Sequence, residues 1–91
     1  MRQTDATLVI FRHWPEREGG DILALFPEID EGAGLCSSYQ HIGQHGAASY
    51  TLCIAATKPA TPAEYAALRR ELESAPYHYK LVIRRRWVRS H

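Results

Sequence analysis

The first third of the chain carries two apolar runs separated by a short polar connection. Residues 7–14 are rich in β-branched and aromatic side chains and end at Pro15, as expected for a strand that proline terminates. Residues 22–26 form a second apolar run that is closed by Pro27. The connection contains two adjacent glycines, which supply the positive φ of a turn. The pattern therefore predicts an antiparallel β-hairpin.

Two further strands are predicted in the middle of the chain. Two glycines and two acidic residues indicate a loop at residues 30–34, and residues 36–42 follow as a third strand. Residues 43–49 are polar and small and are expected to break that strand. Residues 50–56 are predicted to form the fourth strand, with Tyr50, Leu52 and Ile54 on one face.

The clearest local pattern is the start of a helix. Thr61 is the expected N-cap, Pro62 occupies the first helical position, and Glu64 completes a capping box. An apolar stripe with helical spacing follows and is expected to be buried: Tyr65, Leu68 and Leu72. The helix is predicted to end near Pro76, and residues 79–88 form the last strand.

These elements predict an α+β fold, a mainly antiparallel sheet of about five strands with one helix in the order ββββαβ. Ninety-one residues can bury only one core, so residues 1–91 are expected to form a single domain. One helix covers one face of such a sheet, yet residues 8–11 are apolar on both faces. We therefore expect strong curvature, a covering loop or a second subunit on the other face, and a homodimer is one of these arrangements.

Composition narrows the class of protein. Hydrophobic residues make up 45% of the chain and charged residues 23%, as in globular domains. The formal net charge of +1 excludes strong nucleic-acid attraction by the protein as a whole. The sequence has neither a signal-peptide pattern nor an apolar run of the roughly 18–20 residues that span a membrane. A cytoplasmic location without membrane contact is therefore expected, with Cys36 and Cys53 as reduced thiols.

Histidine, glutamine and glycine are concentrated in residues 38–46, at the end of the predicted third strand. Loops held by strands often carry binding residues. We therefore predict that this segment recognises a polar small ligand or a macromolecular partner, through Tyr39, Gln40, His41, Gln44 and His45. The structural alternative is that these polar side chains satisfy backbone groups in a tight connection.

A small enzyme is the alternative from another class. His41 or His45 could act as general acid or base, and Cys36 or Cys53 could add a nucleophile. No nucleophile motif supports this alternative. The two histidines also have the spacing of helical zinc ligands, but Gly43 between them disfavours a helix. We therefore expect an accessory domain without metal or cofactor.

The C-terminal strand is basic and contains an aromatic residue. Cations with an aromatic ring suit phosphate contact and base stacking, and the candidate nucleic-acid residues are Arg84, Arg85, Arg86 and Trp87. An edge strand that its charges protect from aggregation has the same composition. The sequence favours this second interpretation and leaves nucleic-acid binding open.

Five segments together resemble a group of short hypothetical proteins from bacteria, phages and mobile elements: VIFR at 9–12, ALFPE at 24–28, SYQHIGQHG at 38–46, ATPAEY at 60–65 and ELES at 71–74. The resemblance spans most of the chain, and the segment at 38–46 is its most specific part. It implies an accessory protein rather than a metabolic enzyme and assigns no catalytic residue. The arginine-rich end after Ile83 departs from the pattern.

Overall fold

The structure is a computed structural model that describes residues 6–40 and 44–87. These residues form one mostly antiparallel sheet of six strands, two helices and one 3-10 turn, which confirms the α+β class. The strands are β1 (Thr7–His13), β2 (Ile22–Gly32), β3 (Leu35–Gln40), β4 (Gln44–Ala48), β5 (Lys58–Pro59) and β6 (Leu81–Arg84). The helices are α1 (Tyr50–Ala56) and α2 (Pro62–Glu73), and the 3-10 turn is Glu16–Glu18.

The sheet has the order β4-β3-β2-β1, and β1 has two partners on its outer side. The predicted hairpin is confirmed, since β1 and β2 pair antiparallel. On the other side of β1, Thr7 to Ile10 pair in parallel with β6, whereas Arg12 and His13 pair antiparallel with β5. Phe11 lies between the two pairings. We call this arrangement the forked edge of the sheet.

Helix α2 covers one face of the sheet, which we call the α2 face. Thr61 accepts a hydrogen bond from the Glu64 amide, and the Glu64 carboxylate accepts one from the Thr61 amide, so the predicted capping box is present. Leu68 and Leu72 are buried as expected, and Tyr65 is half-buried. They pack with buried side chains of the sheet: Val9, Phe11, Ala24, Phe26 and Tyr39.

Helix α1 covers the other face, which we call the α1 face, and it corrects the predicted fourth strand. Residues 50–56 are helical, with Ser49 as N-cap accepting from the Leu52 amide. Tyr50, Cys53 and Ile54 pack on Ile10, Leu23, Leu25 and Cys36. The apolar positions of this short run fit both the alternation of a strand and the spacing of a helix. The N-cap at Ser49 favours the helix. With α1 in place, the expected need for a loop or second subunit on this face disappears.

Strand boundaries in the first half of the chain differ from the prediction. The fourth strand begins at Gln44, inside the segment expected to break the sheet, and residues 41–42 of the predicted third strand lie outside the described residues. Strand β2 continues past Pro27 to Gly32. The register between β2 and β3 shifts directly after Phe26, and such an irregularity accommodates a residue that lacks an N–H.

The last strand is shorter than predicted and runs parallel to β1. The element order of the described residues is therefore ββββαβαβ rather than ββββαβ. The additional elements are a second helix, α1, and the short strand β5 at the forked edge. None of the helices in the described residues is long and apolar enough to cross a membrane.

Candidate functional site

Tyr39 is a structural anchor near the start of the predicted binding segment. Its side chain is fully buried on the α2 face, and its hydroxyl donates to the Glu71 carboxylate on α2. The Tyr39 ring lies 5.3 Å from the Tyr77 ring in an edge-on contact. The hydroxyl of Tyr39 therefore joins the sheet to α2, and its ring joins the sheet to the segment that follows α2.

Gln40 faces the α1 side, as strand alternation predicts. Its side-chain amide oxygen Oε1 accepts a hydrogen bond from Trp14 Nε1 at 3.0 Å. Ser38 lies on the same side and donates to the Gly46 carbonyl at 3.0 Å, which ties β3 to β4. Gln40 and Tyr39 therefore do not converge on one ligand, although they are adjacent in sequence.

His45 lies on β4 rather than on the predicted loop, and it pairs with Tyr39 across the strands. Its exposed imidazole packs against two aromatic rings, with ring centroids 4.7 Å from Tyr39 and 5.2 Å from Tyr77. Gln44 starts β4 opposite Gln40, and His41 lies outside the described residues. The structure thus brings Tyr39 and His45 together and places Gln40 on the other face.

The two cysteines lie together under α1. Cys36 is buried and Cys53 is half-buried, and both are free thiols. Burial raises the pKa of both thiols, and the nearby Cys53 adds to the rise at Cys36. Cys53 lines a shallow groove of about 290 Å³ together with Gln40 and His45. The His45 ring itself packs against Tyr39 and Tyr77 on the α2 face, so it is not directed at either thiol. Within the described residues, no three His, Cys, Asp or Glu side chains are grouped as metal ligands.

The basic C-terminal segment divides into two parts. Arg84, Arg85 and Arg86 are exposed. The Trp87 ring instead packs edge-on against Tyr50 at 5.4 Å, and the Trp87 amide donates to the Tyr50 hydroxyl at 2.7 Å. Trp87 therefore fixes the chain against α1, while the arginines remain available to solvent.

The forked edge contains a cleft of about 510 Å³. Because β5 and β6 pair with different parts of β1, they leave a gap beside Phe11, whose carbonyl accepts from the Ala60 amide at 3.1 Å. The Tyr65 ring stacks on Phe11 with centroids 4.3 Å apart and planes 13° apart. The cleft is lined by Phe11, Pro59, Ala60, Thr61, Pro62, Tyr65, Ile83, Arg84 and Arg85.

The charge around this cleft has one sign. Arg84 and Arg85 line it, and none of the described residues in its wall is acidic. No carboxylate in the described part of the chain forms an ion pair with either arginine. A shallower groove of about 260 Å³ continues past Tyr65 along α2, where Arg69 is paired with Glu73 at 3.1 Å.

The sequence pointed to Arg84 and Arg85 but not to the apolar part of the cleft. Phe11 and Tyr65 carry the pattern of core residues, and they are indeed packed against each other. The capping box at Thr61 fixes where α2 begins, yet no sequence feature places that start beside β1. The cleft depends on β5 and β6 sharing one edge of β1, a long-range arrangement that local patterns do not encode.

The chain therefore presents two separate candidate regions, the β3–β4 segment with His45 and the cleft at the forked edge. The first stays a prediction from residue types, since its described polar groups on Tyr39 and Gln40 are bonded within the fold. The second combines apolar walls with two exposed cations. No family model, curated protein or solved structure matches this chain.

Proposed function

We propose that this chain is a binding domain without covalent chemistry of its own. Its ligand carries a flat ring and negative charge, as a nucleotide does, and binds in the forked-edge cleft. The observation that carries the proposal is the pairing of apolar walls with Arg84 and Arg85 in one cleft whose described lining lacks acidic residues.

The size and composition of the cleft support a small ligand or one unit of a larger one. Its volume of about 510 Å³ lies within the range of roughly 300–1,000 Å³ that is usual for ligand sites. Tyr65 belongs to both the cleft and the groove beside it, so its ring is open to contact next to its stack with Phe11. Offset stacking on such a ring favours a flat partner.

The arginines supply the preference for an anion. A guanidinium presents several N–H donors in one plane and bonds phosphate or carboxylate oxygens in pairs. Arg84 and Arg85 are exposed and follow the apolar residue Ile83, so cations and apolar walls adjoin. A mononucleotide and a single-stranded nucleic acid share this chemistry.

The environments of the candidate catalytic groups, Cys36, Cys53 and His45, favour binding over catalysis. Burial raises the pKa of Cys36 and Cys53, which lowers the thiolate fraction that a nucleophile needs. His45 packs on Tyr39 on the α2 face, whereas both cysteines lie on the α1 face. The enzyme alternative therefore gains no assembled pair from these residues.

The test is an NMR titration of the full chain with adenosine 5′-monophosphate and, separately, with a short single-stranded oligonucleotide. We expect both to shift the backbone amides of Phe11, Ala60, Tyr65 and Ile83. Tighter binding of the oligonucleotide with a steep salt dependence would identify nucleic acid as the source of the ligand. Equal affinity for both probes would identify the free nucleotide.

Arg85→Gln removes one cation of the cleft and is expected to weaken binding about tenfold, a change of about 1.4 kcal/mol. The control is Arg17→Gln, since Arg17 is also exposed but does not line the cleft. Amide shifts confined to Tyr39 and His45 would place binding at the β3–β4 segment and would contradict binding in the cleft. The absence of any shift at saturating probe would contradict it as well.

A further inference from the structure

Charged residues are absent from one continuous part of the chain. Between Glu31 and Lys58 the sequence contains no Asp, Glu, Lys or Arg, although such residues make up 23% of the chain. This segment includes β3, β4 and α1. The buried strand β3 needs no charge, but β4 and α1 lie at the surface, where charged residues are normally abundant.

The exposed parts of β4 and α1 adjoin along the chain, because Ser49 alone separates the strand from the helix. On the strand, His45, Gly46 and Ala47 are exposed. On the helix the exposed residues are Thr51, Leu52, Ala55 and Ala56, and Leu52 is 70% exposed. In the described part of the chain, Leu52 is the large apolar side chain left in solvent. We call these exposed residues the uncharged surface.

The two edges of the sheet are built differently. At the forked edge the outer strands carry Lys58, Pro59 and Arg84, residue types that prevent further strand pairing. At the opposite edge, β4 carries neither charge nor proline, and its register with β3 is regular from Gln44 to Ala48. Among the described residues, β4 has β3 as its sole partner strand. Its outer backbone groups are therefore suitable for pairing with another strand.

We propose that the uncharged surface binds a second copy of this chain. In this arrangement β4 pairs antiparallel with β4 of the partner about a twofold axis, and the exposed face of α1 with Leu52 is covered at the same interface. The inference is independent of the proposed ligand site, which lies at the other edge of the sheet.

A second copy fits this surface better than a charged partner does. Identical strands that meet antiparallel about a twofold axis place the same groups on both sides, so the interface is self-complementary. The absence of Asp, Glu, Lys and Arg from 32–57 reduces like-charge repulsion at close range, and the formal net charge of +1 adds little at long range. Depletion of charged residues is also typical of interface centres.

The size of the surface sets the expected affinity. Gly46, Ala47 and Ala48 are small and allow close approach, but a five-residue ladder buries less than the roughly 1,200 Å² of a standard interface. The exposed face of α1 has to contribute the remainder. We therefore expect a weak dimer that dissociates at roughly low micromolar concentration.

The test is sedimentation velocity of the full chain from low micromolar to submillimolar concentration. We expect a monomer–dimer equilibrium. Ala47→Lys places a charge on the β4 edge and is expected to weaken dimerisation at least tenfold. The matched control is Ala67→Lys, which makes the same change at an exposed position of α2 and is expected to leave the dimer unchanged.

Leu52→Gln tests the helical part of the interface without changing the strand. We expect it to weaken dimerisation severalfold. At protein concentrations where the chain is monomeric, its circular-dichroism spectrum and melting temperature should be unchanged. A monomer at every concentration would overturn the proposal. Equal dimerisation of Ala47→Lys and Ala67→Lys would also overturn it, since the two chains would then meet elsewhere.

Discussion

Arg12 in β1 is bonded to Thr57, the residue at the end of α1. Arg12 Nε donates to Thr57 Oγ1 at 2.8 Å, and a terminal guanidinium nitrogen donates to the Thr57 carbonyl at 2.6 Å. The same nitrogen donates to the Ile54 carbonyl at 3.0 Å. A buried cation thus holds the carbonyl end of α1 to the sheet, where the helix dipole favours positive charge.

Arg12→Ala is expected to lower the free energy of unfolding by about 2–3 kcal/mol, because charge-assisted hydrogen bonds are lost and helix-end carbonyls lose their donor. Urea denaturation measures the change. Amide exchange in α1 should accelerate more than exchange in α2. Arg17→Ala is the control, since Arg17 is exposed and contacts Glu18 only at 4.0 Å. Equal loss in both variants would contradict the role of Arg12.

Tyr39→Phe keeps the buried ring and removes the hydroxyl that donates to Glu71. We expect a loss of about 1–2 kcal/mol in the free energy of unfolding, because a half-buried carboxylate loses a donor. A double-mutant cycle with Glu71→Gln measures the coupling between the two groups. Additive losses in the cycle would show that the hydroxyl and the carboxylate stabilise the fold separately.

Thr61→Ala removes the N-cap of α2 and is expected to cost about 1 kcal/mol of stability. Thermal denaturation measures the change, and Thr51→Ala is the control because Thr51 lies exposed inside α1. Thr51→Ala is expected to leave stability unchanged or to raise it slightly, because alanine has the higher helix propensity. An equal loss in both variants would therefore contradict capping as the cause.

The same capping box predicts a pH dependence. The hydrogen bond from the Thr61 amide lowers the pKa of Glu64. A carboxyl with a lowered folded-state pKa stabilises the fold above its unfolded-state pKa, and this stabilisation is lost as pH falls through the folded-state value. Glu64→Gln is therefore expected to reduce the acid sensitivity of the melting temperature. A steeper acid loss in the variant would contradict this assignment.

Both thiols are expected to react slowly with iodoacetamide in the folded protein near neutral pH. Burial raises the pKa of Cys36 and Cys53, so the thiolate that reacts is scarce, and α1 also restricts access. Mass spectrometry follows the labelling, and urea-unfolded protein gives the reference rate. Labelling of the folded protein at the unfolded rate would contradict this prediction and would support a cysteine nucleophile.

The parts of the fold that sequence predicted well depend on neighbours along the chain. The β1–β2 hairpin follows from two apolar runs and a turn in which Gly19 and Gly20 have positive φ. Helix α2 follows from a capping box and a stripe that contains Leu68 and Leu72. Each of these signals lies within a few residues of the structure that it specifies.

The parts that sequence missed depend on contacts between distant residues or on ambiguous patterns. Residues 50–56 have apolar positions that fit either a strand or a short helix, and packing on β1 and β2 accompanies the helix. The parallel pairing of β6 with β1 joins residues 7–10 to 81–84, and no local pattern encodes its direction. The cleft beside Phe11 exists only because of that pairing, so only Arg84 and Arg85 could be named in advance.

The forked edge also couples the local unfolding of β6 to binding of the proposed ligand in the cleft. Strand β6 is short, and among the described strands it is paired with β1 alone, so it can detach while the β1–β2 hairpin and α2 remain folded. Detachment removes Ile83, Arg84 and Arg85 from the cleft wall. The proposed ligand, bound between β6 and Tyr65, would oppose detachment by mass action. The rate of amide hydrogen exchange at residues 81–84 would therefore fall as the cleft is filled. Exchange in β6 would thus measure how much of the protein carries the proposed ligand.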